Sequence, residues 1–201
     1  MLNKHKEIIC VLIGVIFSLV LTGVLVTEKR EKLQEEIASE VLRFHVLANS
    51  DGTEDQALKL YVKDRILVFM KKELPESNDK EESKKWVAEN LSRIENVASE
   101  VVRRAGYDYA TEARLQECKF PEKTYGDITF PAGTYEALRV EIGAAKGQNW
   151  WCVLYPNLCF MDAIHAVVPE QGKDELEEVL DDEAYELVTS KTRFRIRWFF
   201  F

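Results

Sequence analysis

Alternating hydrophobic and polar residues mark the middle of the chain and predict strands. Leu138, Val140 and Ile142 fall on one side of an extended chain, with Arg139 on the other, which is the period of two expected of a half-buried strand. After a glycine-flanked loop, residues 150–155 are apolar on both faces, which predicts an inner strand of a covered sheet. These two strands are predicted to form a hairpin.

Three further stretches alternate in a similar way. Residues 42–48 predict a first strand, and residues 113–120 predict another, in which a bulge near Gln116 would bring the apolar residues to one side. Residues 191–201 alternate basic and apolar side chains and predict a final strand. We expect His45, in the first strand, to lie at the surface as a hydrogen-bonding residue; a metal ligand or a pH sensor is the alternative.

Apolar residues three or four positions apart predict helices around these strands. One begins with a capping box at Thr53 and Gln56 and ends before Pro75. A second is capped by Asp79 and ends at Gly106 in the left-handed conformation. Beyond residue 160 the chain predicts an acidic helix, whose apolar face comprises Leu176, Leu180, Ala184 and Leu187.

The order of these elements predicts the fold class. Strands and helices are grouped along the chain instead of alternating, which is typical of an α+β fold. We expect an antiparallel sheet of about four to five strands with two long helices packed on one face. This single domain would comprise residues 41–201.

The N-terminal residues predict an attachment to a membrane. A short tail, residues 1–7, precedes the uncharged residues 8–26, which are long enough to cross a bilayer as a helix. We expect a retained transmembrane or signal-anchor segment; a cleaved signal peptide is the alternative. A charged juxtamembrane stalk, residues 27–40, would then lead to an extracytoplasmic domain, in a compartment that permits disulfides.

Composition argues against several classes of function. The formal net charge is −8 and the pI is about 5.1, whereas phosphate recognition usually needs a basic face. A nucleic-acid partner is therefore not expected. The chain contains no glycine-rich phosphate loop, G-x-S-x-G elbow or H-E-x-x-H motif, and we expect no cofactor, no metal and no small-molecule substrate.

The cysteines suggest an oxidised pair. A Pro-Asn turn between Cys152 and Cys159 could bring the two thiols together into a disulfide. Two buried free cysteines are the alternative. Cys118 is expected to be a small buried hydrophobic residue, and Cys10 lies within the apolar N-terminal segment.

A thiol hydrolase is the alternative function that the residues allow. Cys152 would be the nucleophile, His165 the base and Asp162 the group that orients it. An apolar strand raises the pKa of a thiol, however, and this disfavours the thiolate that the chemistry needs.

Four segments carry a specific resemblance: FHVLANSD at residues 44–51, FPEKTYG at 120–126, FPAGTYEALRVEIG at 130–143 and NWWCVLYPNLCF at 149–160. They resemble the signature blocks of the stage II sporulation protein R family and occur in its order. The resemblance implies a non-enzymatic signal, made in the forespore, that acts in the space between the forespore and mother-cell membranes. The implied partner is a membrane-embedded sporulation aspartic protease, which matures the sigma-E precursor.

Residues that contact such a partner are expected near Trp150 and Trp151. Adjacent residues of a strand point to opposite faces, so one ring is expected in the core and the other at the surface, as an interface anchor. The alternative is that both rings are covered. Arg43, His45 and Arg139 are further candidates for partner binding.

The final strand presents a basic face. Its basic residues are Lys191, Arg193, Arg195 and Arg197. The acidic helix at residues 174–186 and the anionic headgroups of a bilayer are the two available targets. We expect the local pairing with the helix, because only a short link connects it to the strand.

Overall fold

The computed structural model describes residues 2–75, 79–160, 168 and 170–189. Its helices are α1 (Leu2–Glu40), α2 (Thr53–Glu73), α3 (Lys80–Arg104), α4 (Glu170–Val179) and α5 (Asp182–Thr189), with a short 3-10 helix at Leu158–Phe160. Its strands are β1 (Leu42–Leu47), β2 (Thr111–Phe120), β3 (Lys123–Tyr125), β4 (Ile128–Phe130), β5 (Gly133–Ile142) and β6 (Asn149–Tyr155). The predicted α+β class is confirmed.

The main sheet is mixed, which corrects the expected antiparallel arrangement. Its four strands have the order β2-β5-β1-β6; β1 is parallel to β5, and the other neighbours are antiparallel. The predicted hairpin of β5 and β6 is wrong, because β1 lies between them. The loop that connects them crosses the end of β1, where the amides of Lys146 and Gly147 donate to the carbonyls of Asn49 and Ala48, at 3.2 and 2.9 Å.

Two hydrophobic cores lie on opposite faces of this sheet. Helices α2 and α3 cover one face, as predicted, and pack on Phe44, Val46 and Leu138. The end of α1, the β3-β4 hairpin, α4 and α5 cover the other face. Strand β1 lies between β5 and β6, and both of its faces are consequently buried.

Strand β2 contains no bulge, contrary to the prediction. Its register with β5 is continuous from Thr111, opposite Ile142, to Phe120, opposite Gly133. Ala113 belongs to the core beneath α2 and α3, whereas Cys118 and Phe120 belong to the opposite core. The apolar positions change sides because each half of the strand is covered on a different face.

Local capping explains most helix boundaries. The side chain of Asp79 accepts from the amide of Glu81 at 2.9 Å, and Gly106 has a φ of +86°, as predicted. The capping box at Thr53 is wrong, because that residue is already helical and Gly52 is the N-cap. The side chain of Gln56 instead donates to the carbonyl of Ser50 at 2.8 Å.

The acidic region forms two helices instead of the one predicted. The carboxylate of Asp181 accepts from the amide of Ala184 at 2.6 Å and caps α5. Leu176, Leu180 and Ala184 are buried, as their spacing predicts. The predicted strand at residues 191–201 lies outside the described residues.

Helix α1 joins the apolar segment to the domain without interruption. From Cys10 to Glu40 it includes a stretch of mean hydropathy 2.6 that is unburied, long and apolar enough to cross a membrane; a signal sequence has the same properties. Its last turns pack into the domain, where Ile37 and Val41 are fully buried.

A buried lysine fixes the end of α1. Lys80 Nζ donates to the carbonyls of Ala38 and Ser39, at 3.2 and 2.7 Å, and lies 3.0 Å from the carboxylate of Glu136. The last carbonyls of a helix otherwise lack partners within it. The domain is therefore held in one orientation relative to α1.

Candidate functional site around Trp151

Trp150 and Trp151 lie on β6, which is an edge strand among the described residues. Their rings point to opposite faces of the sheet, as predicted, with Trp150 beside the α2-α3 core and Trp151 beside the α1 core. The expectation of one core ring and one surface ring is wrong, because both rings are half-buried. Each therefore combines an anchored edge with an accessible one.

Trp151 is anchored by other aromatic rings. It stacks on His45, with ring centroids 4.9 Å apart and an interplanar angle of 13°. It also meets Phe120 edge-on at 4.6 Å. Lys123 Nζ, on the β3-β4 hairpin, lies 6.0 Å from the centre of the Trp151 ring, so a cation borders the accessible side of the ring.

Arg43 lies beneath this group and is completely buried. Its guanidinium carbon is 4.5 to 5.8 Å from the centres of the rings of Phe120, Phe130, Tyr135 and Tyr125. Nε donates to the carbonyl of Cys152 at 3.1 Å, and Nη2 donates to the hydroxyl of Tyr125 at 3.0 Å. Burial lowers the pKa of Arg43. The arginine thus ties β1, β6 and the hairpin together.

His45 is also buried, which contradicts its expected place at the surface. Neither ring nitrogen has a hydrogen-bond partner in the part of the chain that the structure describes. Burial, with smaller effects from the positive charges of Arg139 and Arg43, lowers the pKa of His45 to about 3. The imidazole is therefore neutral at physiological pH and serves as a flat surface for Trp151.

The depressed pKa of His45 predicts a loss of stability in mild acid. The unfolded chain takes up a proton near pH 6.5, whereas the folded chain resists it down to about pH 3. The stabilisation is complete above pH 6.5 and is lost, by up to about 1.4 kcal/mol per pH unit, as the pH falls through this window. Denaturant unfolding between pH 7 and 5 should show this slope, and His45→Phe should reduce it. Equal slopes for both proteins would refute the assignment.

Arg139 is the predicted candidate that remains accessible on this face. It is opposite His45 in the register of β1 and β5, is half-buried, and donates through Nε to the carboxylate of Glu141 at 2.7 Å. Arg43 and His45 lie out of a partner's reach in this conformation. His45 stacks on the ring of Trp151, and Arg43 contacts Phe120, which meets the same ring. We use the name Trp151 surface for the half-buried side chains of Trp151, Lys123 and Arg139.

Trp150 has a different environment on the opposite face. It meets Phe44 edge-on at 5.5 Å, and Lys63 Nζ lies 5.1 Å from the centre of its ring. The Trp150 ring thus has an anchoring ring and a bordering lysine, as the Trp151 ring does, but it lies on the face that is remote from α1. This similarity makes the two tryptophans matched controls for each other.

Polar side chains at the far end of β1 organise a loop. The carboxylate of Asp55 accepts from Asn49 Nδ2 at 2.8 Å and Ser50 Oγ at 2.5 Å. The hydrogen bonds from Ser50 and Asn49 lower the pKa of Asp55. A Cβ atom at Gly147 would lie 2.1 Å from the carbonyl oxygen of Ser50. These contacts give the FHVLANSD segment a role in holding the β5-β6 connection.

The cysteine next to Trp151 in the sequence is oxidised. Cys152 and Cys159 form a disulfide, with Cα atoms 5.6 Å apart, and Cys118 is a buried free thiol, as expected. Cys152 therefore offers no nucleophile in this state; Asp162 and His165 lie outside the described residues. Within the described ranges, no group of three or more His, Cys, Asp or Glu side chains could hold a metal ion.

Comparisons with known proteins agree with the four segments. A family model described as stage II sporulation protein R matches residues 38–165. The chain is 32% identical over 192 residues to stage II sporulation protein R of Bacillus subtilis (strain 168). The aligned residues cover 94% of this chain and 86% of that protein. No solved structure matches the chain.

Proposed function

Since the chain belongs to the stage II sporulation protein R family, we propose that it is a sporulation signal that activates a membrane-embedded aspartic protease. The protease then matures the sigma-E precursor. In this proposal the domain acts outside the cytoplasm, between the forespore and mother-cell membranes, and contributes no catalytic group. The disulfide agrees with an oxidising compartment.

The observation that carries the proposal is the position of the Trp151 surface relative to α1. Ile37 of α1 and Val41, the residue that follows the helix, belong to the core that Trp151 packs against, and Lys80 fixes the end of α1. When α1 crosses the bilayer, the Trp151 surface is therefore held at a defined distance from it. A partner embedded in a facing or shared membrane would meet this surface in a constant orientation.

The chemistry of the Trp151 surface suits protein binding. A tryptophan ring with one edge packed loses little conformational freedom when a partner covers the other edge, and such rings are frequent hot spots. Lys123 borders the ring with positive charge, whereas Arg139 lies two strands away and is paired with Glu141. The partner's matching surface should therefore combine an apolar pocket with acidic side chains.

Reconstitution tests the activity directly. The full-length chain is placed in liposomes with the candidate protease and the sigma-E precursor, and cleavage of the precursor is followed over time. We expect rapid cleavage only when the chain is present. Cleavage at the same rate with the protease alone would overturn the proposal.

A further inference from the structure

Helix α2 exposes apolar side chains on the face that points away from the sheet. Outside α1, every exposed large apolar side chain that the structure describes lies on α2: Leu60 (45% exposed), Tyr61 (49%) and Val68 (59%). The opposite face of the same helix packs into the core through Leu58 and Val62. An exposed apolar patch on a folded domain often marks a binding surface, so this face of α2 is a candidate for one.

The exposed residues of α2 follow a seven-residue repeat. Spacings of three and four residues alternate along them, and together they form one narrow stripe on the helix, as in the seam of a coiled coil. The stripe is about 26 Å long. We use the name α2 seam for its six exposed residues. They are Glu54, Ala57, Tyr61, Asp64, Val68 and Lys71.

The α2 seam is complementary to itself when two copies lie antiparallel. One register matches every position of the seam with a suitable partner: an acidic with a basic side chain, a small with a larger apolar side chain, and a hydroxyl donor with a carboxylate acceptor. The pairs are Glu54 with Lys71, Ala57 with Val68, and Tyr61 with Asp64. Two-fold symmetry makes each pair occur twice.

A parallel pair of seams would instead bring like charges together. Each residue would then face the same residue of the second copy, so Glu54, Asp64 and Lys71 would each meet an identical charge, which is unfavourable. In the antiparallel register Asp64 keeps its contact with Lys63 of its own helix through Oδ1, and Oδ2 can accept from Tyr61 of the second copy. The charges of the seam therefore favour the antiparallel arrangement.

We propose that two copies of the chain associate through their α2 seams as an antiparallel, two-fold symmetric pair. The exposed Leu60 and the half-buried Leu67 flank the seam and extend the apolar contact. Helix α2 covers the sheet face opposite to Trp151, so the pair leaves the Trp151 surface of both copies accessible. Because each copy contributes one helix, the contact is small and the dimer should be weak and dependent on concentration.

Cysteine cross-linking of the full-length chain in mild detergent tests both the partner and the register. All variants carry Cys10→Ser, because Cys10 is an exposed free thiol. Ala57→Cys chains are mixed with Val68→Cys chains and oxidised with copper phenanthroline. We expect a disulfide-linked dimer from the mixture and at least severalfold less from either variant alone. Identical positions of the two copies lie about 16 Å apart along the antiparallel pair, too far for a disulfide.

Ala132→Cys is the matched control for Ala57→Cys. Ala132 is also an exposed alanine, but it lies in the turn between β4 and β5, so it should not link to Val68→Cys. Absence of a linked dimer from the mixture of Ala57→Cys and Val68→Cys would overturn the proposal. Linking of Ala57→Cys to itself, or of Ala132→Cys to Val68→Cys, at the same rate as that mixture would also overturn it.

Charge reversal gives an independent test of the register. In the cross-linking background, Glu54→Lys alone or Lys71→Glu alone places like charges at both ends of the paired seams and should lower the linked fraction severalfold. Both reversals in the same chain restore the opposite charges and should return the fraction toward its original level. Circular dichroism confirms that each variant is folded. Failure of the double reversal to restore linking in folded chains would contradict the antiparallel register.

Discussion

Replacing Trp151 with alanine is expected to weaken protease activation strongly. Removing the half-buried ring deletes the central apolar contact of the Trp151 surface, and truncation of a hot-spot residue costs about 2 kcal/mol or more of binding energy. The concentration of the chain needed for half-maximal cleavage should therefore rise roughly thirtyfold or more. The measurement is cleavage of the sigma-E precursor in liposomes, titrated with native and variant chains.

Trp150→Ala is the matched control for this change. Trp150 has the same residue type, the same strand, a comparable exposure and a bordering lysine, but it lies on the face covered by α2 and α3. It should leave activation near the native level. Equal losses of activation in both variants would remove the support for a contact at Trp151. So would a Trp151→Ala chain whose unfolding temperature is below the assay temperature.

Replacing Arg43 with alanine is expected to destabilise the domain strongly. The guanidinium is buried among four aromatic rings and holds the carbonyl of Cys152 and the hydroxyl of Tyr125. Alanine leaves a cavity and unpaired polar groups, which together should lower the free energy of unfolding by about 3–5 kcal/mol. Denaturant unfolding of the full-length chain in mild detergent measures this loss.

Arg43→Met separates the packing of Arg43 from its charge. Methionine fills much of the same space and carries no charge that must be desolvated, so it should retain more stability than alanine. Tyr125→Phe removes the acceptor for Nη2 and should cost about 1.5–3 kcal/mol, the usual contribution of a hydrogen bond to a charged group. If the free energy of unfolding of Arg43→Ala lay within about 1 kcal/mol of the native value, the contacts of Arg43 with the four aromatic rings would not hold the sheet and hairpin together.

Local patterns predicted the helices because their signals lie within a few residues. Asp79 and Gly106 are cap residues that act on their own helix, and the structure places both as expected. The turn after Cys152 likewise brings its partner within reach over a short separation. The capping box at Thr53 failed because Thr53 is already helical and Gly52 is the N-cap, while the side-chain oxygen of Gln56 accepts from Lys59 Nζ.

The order of the strands could not be predicted in the same way. Strand β1 enters between β5 and β6 through contacts across more than ninety residues, such as His45 with Arg139. Alternation shows which side chains share a face of a strand, but it does not identify the neighbouring strand. The apolar character of β6 correctly indicated covered faces and did not show that, among the described strands, it lies at an edge.

The burial of Arg43 and His45 was the main feature of the site that the sequence concealed. A charged or polar residue at every second position normally marks a solvent-facing side of a strand. The sequence signal that could have revealed the burial of Arg43 is the recurrence of aromatic residues at positions 120, 125, 130 and 135. Aromatic faces attract a guanidinium, so their excess predicts a buried cationic partner.

Site-specific photo-crosslinking tests the contact at the Trp151 surface most directly. A photoreactive residue replaces Lys123, which borders Trp151, or Lys63, which borders Trp150 on the opposite face. After illumination of liposomes that contain the chain and the protease, position 123 should form a covalent product with the protease and position 63 should not. A product from position 63 alone would contradict the account.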